Sequence, residues 1–359
     1  MKILDRYIVK QFLGTFFFIM AMIMAISIVF DVSEKLDAFL RSQPSIFEIV
    51  VNYYFNFVIY YSNIFSSLLL FITIIIFTSK LAQNSEVIAI LSSGVSFNRY
   101  LRPYFIATTF LVFLSIILNH TGVPYSNKIR LDFENAYVHN PYHIRKTNLH
   151  REIEPGKIVY FERFTALNKV GYNFSIEHWE GDKLVKKLMA DRIVRDTDSS
   201  GHWTLQNYFL RTIDGGKETV VSGTKLDTIF DFKLKDFGQN LDLAQAMDSW
   251  DLNEYIDVQR ARGADDLARY QLELHQRTSL PVAAYVLMII GVSIASRKVR
   301  GGMGLHIVIG VILAFVYLLF LRMFSVSAMN AGLHPLIAVW IPNFLFGFIA
   351  LYFYKTAQK

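Results

Sequence analysis

The sequence predicts an α-helical integral membrane protein with six transmembrane helices, three on either side of an inserted all-β domain. Three observations carry this. Of the 359 residues, 53% are hydrophobic and only 18% are charged, against roughly 25% charged in a soluble domain. Six stretches are long, apolar and uncharged, and a helix needs about 20 such residues to cross a hydrocarbon core of about 30 Å. Between the third and fourth stretches the pattern changes to short runs divided by turn residues. This composition excludes a disordered chain, which needs low hydrophobicity and high charge. It also argues against a soluble enzyme, whose surface cannot absorb this much apolar side chain. There is no cysteine, hence no disulfide framework and no thiolate metal site.

Phe12–Phe30 opens the series. It is too long and unbroken for a cleaved signal peptide and reads as a retained span. Ile49–Ser79 follows, most apolar over Phe55–Phe77, and then Pro103–Asn119. Thr278–Ser296, Met303–Leu321 and Leu336–Tyr354 complete the set. The expected segments are residues 1–123 for the first three spans, 124–250 for the β-rich domain, 251–277 for a helical connector and 278–359 for the last three spans.

Lys and Arg in the short loops predict the orientation. Lys2, Arg6 and Lys10, then Lys80, Arg99 and Arg102, then Arg297, Lys298 and Arg300, and finally Lys355 and Lys359 all fall on one side. The first loop on the other side holds Asp31, Glu34, Lys35, Asp37, Arg41 and Glu48. Both termini are therefore expected in the cytoplasm, with Pro124–Arg277 outside it. The net charge of +6 divides the same way. Pro124–Arg277 holds 22 Lys and Arg against 24 Asp and Glu, and the remainder holds 14 against 6. Basic residues beside apolar runs, rather than on a soluble module, speak against a nucleic-acid partner.

The outside segment is expected to form strands at Lys157–Thr165, Gly171–Glu180, Lys183–Arg195, His202–Ile213 and Lys225–Lys235, with turn chemistry such as Asp214-Gly215-Gly216 between them. That spacing fits a sandwich, a jelly roll or a curved open sheet. Beyond Leu241 the period turns helical, and Asp251–Gln276 reads as one or two helices broken near Gly263.

No phosphate loop, nucleophile elbow or H-E-x-x-H motif is present. His139 and His143 are four apart, but Pro141 between them breaks the helix that a metal pair needs. No catalytic residue and no metal site are expected. Three other features stand out. The loop between spans 2 and 3 holds a short helix that Ser85 can cap and Gly94 can end. Its apolar residues Val87, Ile88, Ile90 and Leu91 recur near helical spacing, and Glu86 is its one carboxylate. Such a helix either docks in a groove of a cytosolic partner or lies on the membrane surface. Arg322, at the outer end of span 5, either snorkels to the headgroups or contacts an anion. Lys35 and Arg41 after span 1, and Lys128 and Arg130 at the entry to the β domain, either meet phosphates or belong to a solvated face with Asp31, Glu34, Asp37, Asp132 and Glu134. The residues by themselves also admit a non-translocating mechanotransmitter on an ATPase, or a membrane-anchored periplasmic scaffold or sensor.

Several strings resemble the LptF/LptG permeases of the lipopolysaccharide export ABC transporter. Leu4-Asp5-Arg6-Tyr7-Ile8 is similar to that family's opening before span 1. The run from Asn84 through Glu86 and Gly94 to Ser96 is similar to its coupling helix. Tyr270 to Arg277 with Leu280-Pro281 is similar to its approach to span 4, and Arg300-Gly301-Gly302 to the following turn. The resemblance runs along essentially the whole chain. It implies a permease of the bacterial inner membrane with a periplasmic jelly-roll-like domain. A second LptF/LptG-type permease, a dimeric cytosolic ATPase, a periplasmic bridge protein and lipopolysaccharide are the implied partners. Lipopolysaccharide is implied to enter a cavity between the two permeases through gates formed by spans 1 and 5. No cofactor is implied on this chain, since ATP and Mg belong to the ATPase. Ser85, Glu86, Ile90, Leu91 and Gly94 are the implied ATPase-coupling residues, with Glu86 in the contact. Lys35, Arg41, Lys128, Arg130 and Arg322 are the candidates for substrate contact. The stretch Asp31 to Asp37 departs from the basic cluster that some members carry there.

Overall fold

The computed structural model describes residues 3–138, 147–154, 156–165, 170–195, 201–230, 241–261, 267–297 and 302–357. His139 and His143 lie outside the described residues. The chain forms two compact units, one of residues 1–131, 244–254 and 266–359, the other of residues 132–243 and 255–265.

The first unit is helical. α1 (Ile3–Ser42) has 40 residues, about 60 Å at 1.5 Å per residue, so it overruns its apolar stretch at both ends. Ser45 starts α2 (Ile46–Glu48) with a capping box, its hydroxyl accepting from Glu48 N while the Glu48 carboxylate accepts from Ser45 N. A π-helical stretch (Ile49–Tyr54) leads on into α3 (Phe55–Gln83). α4 (Glu86–Ser92) is short, and α5 (Phe97–Ile117) runs through a second π-helical stretch (Leu118–Gly122) into α6 (Val123–Phe133). After the strands come α7 (Leu241–Ala246), α8 (Ser249–Ala261), α9 (Leu267–Ala295), α10 (Met303–Asn330) and α11 (Pro335–Thr356). The helices read over Asp251–Gln276 are α8 and the first turns of α9, and Gly263, where a break was expected, lies outside the described residues.

Among the described residues six helices are long and apolar enough to cross a membrane, and they contain the six predicted stretches except Ser296. α3 and α9 form the centre. One cluster packs Phe12, Phe77, Tyr104 and Met288 from α1, α3, α5 and α9. A second packs Phe71, Leu287, Tyr317 and Phe346 from α3, α9, α10 and α11. Gly291 makes the close approach, since a Cβ there would lie 2.8 Å from Ile74 Cγ2.

Among the described residues the second unit carries a six-stranded antiparallel sheet in sequence order. Its strands are β1 (Thr147–Glu154), β2 (Lys157–Thr165), β3 (Val170–Glu180), β4 (Lys183–Arg195), β5 (His202–Asp214) and β6 (Lys217–Ile229). The all-β insertion is present, and its described strands form one continuous meander. Asp214 pairs with Lys217 around Gly215 and Gly216, whose φ values of +54° and +85° make the two-residue turn that joins β5 to β6. β2 and β4 have the predicted bounds, and β3 and β5 differ by a residue. Two strands differ more. β1 was not predicted, because Thr147–Glu154 carries only Leu149 and Ile153 among polar residues and shows no apolar run. β6 runs from Lys217 rather than Lys225, because the first half of this edge strand is exposed on both faces and shows no alternation, and residues 231–235 of the predicted strand lie outside the described residues. Val159, Phe161, Phe174, Leu188, Ile193, Trp203 and Leu205 form the core of the sheet unit.

Candidate functional site

The predicted cations are not brought together. Lys35 is neutralised inside its own helix end. Its Nζ lies 2.8 Å from Asp31 Oδ1 and donates to Tyr53 Oη, while Tyr53 and Tyr54 donate to Asp31 at 2.9 and 3.2 Å. Arg130 is buried, its Nε and Nη2 donating to Asn127 Oδ1 at 3.0 and 2.8 Å, with its guanidinium 5.0 Å from the Tyr60 ring centre. Arg41 in the last turn of α1, Lys128 on α6 and Arg322 on α10 are exposed on separate helices.

The loop between α3 and α5 is built more tightly. Ser85 precedes α4 with φ +63°, a left-handed conformation that turns its side chain from the helix amides. The side-chain cap expected of Ser85 is therefore absent, and its carbonyl accepts from Ala89 N at 3.0 Å. Gly94 ends the segment as expected, at φ +87° with its N–H on Leu91 O. Val87 is buried, and Ile90 and Leu91 lie against the bundle core. The outward apolar residue is Ile88, 39% exposed. Glu86 accepts from Tyr7 Oη of α1 at 3.2 Å and from Asn84 Nδ2 at 3.3 Å. Beside it Arg99 grips Asp5 through two parallel bonds of 2.6 and 2.8 Å. Tyr354 at the end of α11 donates to Asn98. The starts of α1, α4 and α5 and the end of α11 are thus one joined patch, suited to passing on a mechanical push.

At the opposite ends of α3 and α5 a polar network surrounds a cavity of about 220 Å³ lined by Tyr60, Asn63, Ser115, Asn119, Glu273 and Arg277. It follows from one proline. Pro281 has no N–H to offer the Arg277 carbonyl four residues earlier, and Asn119 Nδ2 fills that place at 3.2 Å. Asn119 in turn accepts from Asn63, and Asn63 from Ser115. Arg277 lies 3.7 Å from Glu273 and donates to the carbonyls of Ala244 and Met247 at 3.0 and 2.8 Å, at the C-terminal end of α7 where a cation is favoured. The π-helical stretch aims consecutive residues at α8 and α9, with His120 reaching Ser249 on α8 and Thr278 on α9 next to Asn119.

A family model described as "Lipopolysaccharide export system permease LptF/LptG" matches residues 6–356. The chain belongs to the LptF/LptG family. No curated protein matches the chain. As a family member with six apolar helices it is a multi-pass inner-membrane protein and a permease component of the lipopolysaccharide export system, not itself classed by an enzymatic activity.

In this LptF/LptG chain, sequence reasoning missed the Arg277 network and the Asp5–Arg99 pair. Span 4 was read from Thr278, where charge ends, although α9 begins at Leu267. The signals present were Asn63, Ser66 and Ser67 inside an uncharged span, and Pro281 four residues after Arg277.

Proposed function

We propose that this permease extracts lipopolysaccharide from the inner membrane in an ATP-driven cycle and passes it toward the outer membrane through a periplasmic jelly-roll bridge. A second LptF/LptG-type permease completes the membrane cavity, and a dimeric cytosolic ATPase binds ATP and Mg. Both termini are cytoplasmic and the sheet domain is periplasmic. The observation that supports this best is α4: Val87 anchors it to the bundle, Ile88 faces outward, and Glu86 is linked to α1 through Tyr7. A push on that surface moves the start of a 40-residue spanning helix as a body. An apolar route matters because each acyl CH₂ drawn into water costs about 0.8 kcal/mol.

The test is native mass spectrometry of the complex from its source membrane in mild detergent, with lipopolysaccharide release measured for Glu86→Ala. Masses for a second permease, two ATPase copies and a glycolipid are expected. The variant is expected to assemble its fold and lose release. A variant that still couples ATP turnover to release would remove Glu86 from the contact. An ATPase without glycolipid would turn the reading toward a mechanotransmitter.

A further inference from the structure

The sheet is creased along one row. On both sides of the row the strands pair in a single register. Phe161 faces Phe174 and Arg163 faces Tyr172, and likewise Ala190 faces Tyr208 and Arg192 faces Gln206. Between them regular pairing is interrupted at Glu162, Asn173, Asp191 and Asn207, the same row in every strand pair. No residue is inserted. Asn173 and Asn207 have φ values of +47° and +52°, left-handed in mid-strand, where an L residue other than glycine is uncommon. A left-handed residue reverses the side-chain alternation. In β5 the inward residues are Trp203 and Leu205 before Asn207, then Tyr208 and Leu210 after it. In β4 they are Leu188 and Ala190, then Ile193. In a regular strand those sets would face opposite ways; the crease turns both inward. The two arms meet closely, since a Cβ on Gly171 would stand 2.6 Å from Phe161 Cδ1 across the row.

We propose that this row is a hinge about which the two arms part to take an acyl chain of the glycolipid cargo against the apolar face, with Asn173 and Asn207 as positioning residues that hold the closed angle. The inference rests on the reading that the sheet domain receives lipopolysaccharide. Each arm keeps its ladder and so moves as a body, while the row between them has the least regular pairing to disturb. The left-handed residues are tied by side-chain bonds to their neighbours along the row. Asn173 Nδ2 donates to Glu162, and Asn207 Nδ2 donates to Asp191 at 3.1 Å. Val159, Phe161, Phe174, Ile193 and Leu205 on the inner face are each at most 1% exposed, an apolar lining that suits a hydrocarbon chain and offers no group to a sugar or phosphate.

The chain has no cysteine, so Val220→Cys and Ile229→Cys place two spin labels on β6, at positions 61% and 65% exposed on either side of the row. Their separation is measured in the full detergent-purified complex, with and without deep-rough lipopolysaccharide. A photo-crosslinker at Tyr208 records whether the lipid arrives. Lipid is expected to shift the main distance by more than its width. Asn207→Gly, which accepts the left-handed backbone but lacks the amide donor, is expected to broaden the lipid-free distribution. Asn207→Asp repeats that test should the glycine variant fail to fold. Crosslinking at Tyr208 with an unchanged distance would overturn the hinge and leave delivery standing. No crosslink at Tyr208 would overturn delivery and the hinge with it.

Discussion

Single side chains decide how the charges of this chain are tolerated. Asp5 and Arg99 form a two-pronged pair with side chains 8% and 23% exposed, so each partner is desolvated for the other. Arg99→Ala leaves the Asp5 carboxylate short of two donors and is expected to lower the unfolding temperature. Arg99→Lys keeps the charge but not the planar fork, and a smaller loss is expected. Thermal unfolding in detergent should rank wild type, Lys and Ala in that order. In the sheet, burial tends to raise the Glu177 pKa, but hydrogen bonds from Lys187 and Trp179 outweigh it and hold the carboxyl below its ordinary value of 4.5. A depressed pKa stabilises the fold above the unfolded value and loses that contribution as pH falls through the folded one. The sheet should therefore weaken below about pH 4.5. Glu177→Gln should flatten this acid limb, read from the fluorescence of Trp179.

Whole elements were legible where one physical effect dominates. Hydropathy found the spanning helices, because nothing else makes 20 uncharged residues. β2 and β4 were legible from turn residues and half-buried faces. β1 and β6 were not: β1 has only Leu149 and Ile153 among polar residues, the first half of β6 is exposed on both faces, and the crease at Asn207 reverses the phase within β5. The site was legible in part. Glu86 and Gly94 stand in one short string, whereas Asn63, Asn119, Ala244 and Arg277 are far apart in sequence and meet only through the fold. Helix contact is decided at Gly291, where an added Cβ would lie 2.8 Å from Ile74 and 3.3 Å from the Phe71 ring. Both neighbours belong to the packed centre, and small residues are what let spanning helices approach. Gly291→Ala is expected to cost about 1–3 kcal/mol by forcing α3 and α9 apart. Gly347→Ala on α11, with nothing within 4 Å, should not lower the melting temperature.

For the helical unit taken whole, burial is uneven in a way that bears on assembly. The apolar windows of α3 and α9 are 56% and 61% buried, but those of α1 and α10 only 22% each. α1 leaves Phe18, Ile26 and Phe30 exposed, and α10 leaves Val308, Ile312 and Phe315. Lipid can cover such faces without cost, so exposure alone does not call for a partner. The family assignment does, because the proposed cavity needs walls from two permeases. Outer helices with free faces can separate from a neighbour without opening their own bundle, while α3 and α9 cannot move without breaking both core clusters. The second permease is therefore expected against α1 and α10. In the cysteine-free chain, Ile26→Cys and Ile312→Cys should each crosslink to the second permease in native membranes. Phe348→Cys on α11, 71% exposed, should react with a lipid-soluble maleimide and give no such crosslink. Crosslinks from Phe348→Cys alone would place the partner on α11 and move the cavity away from α1 and α10.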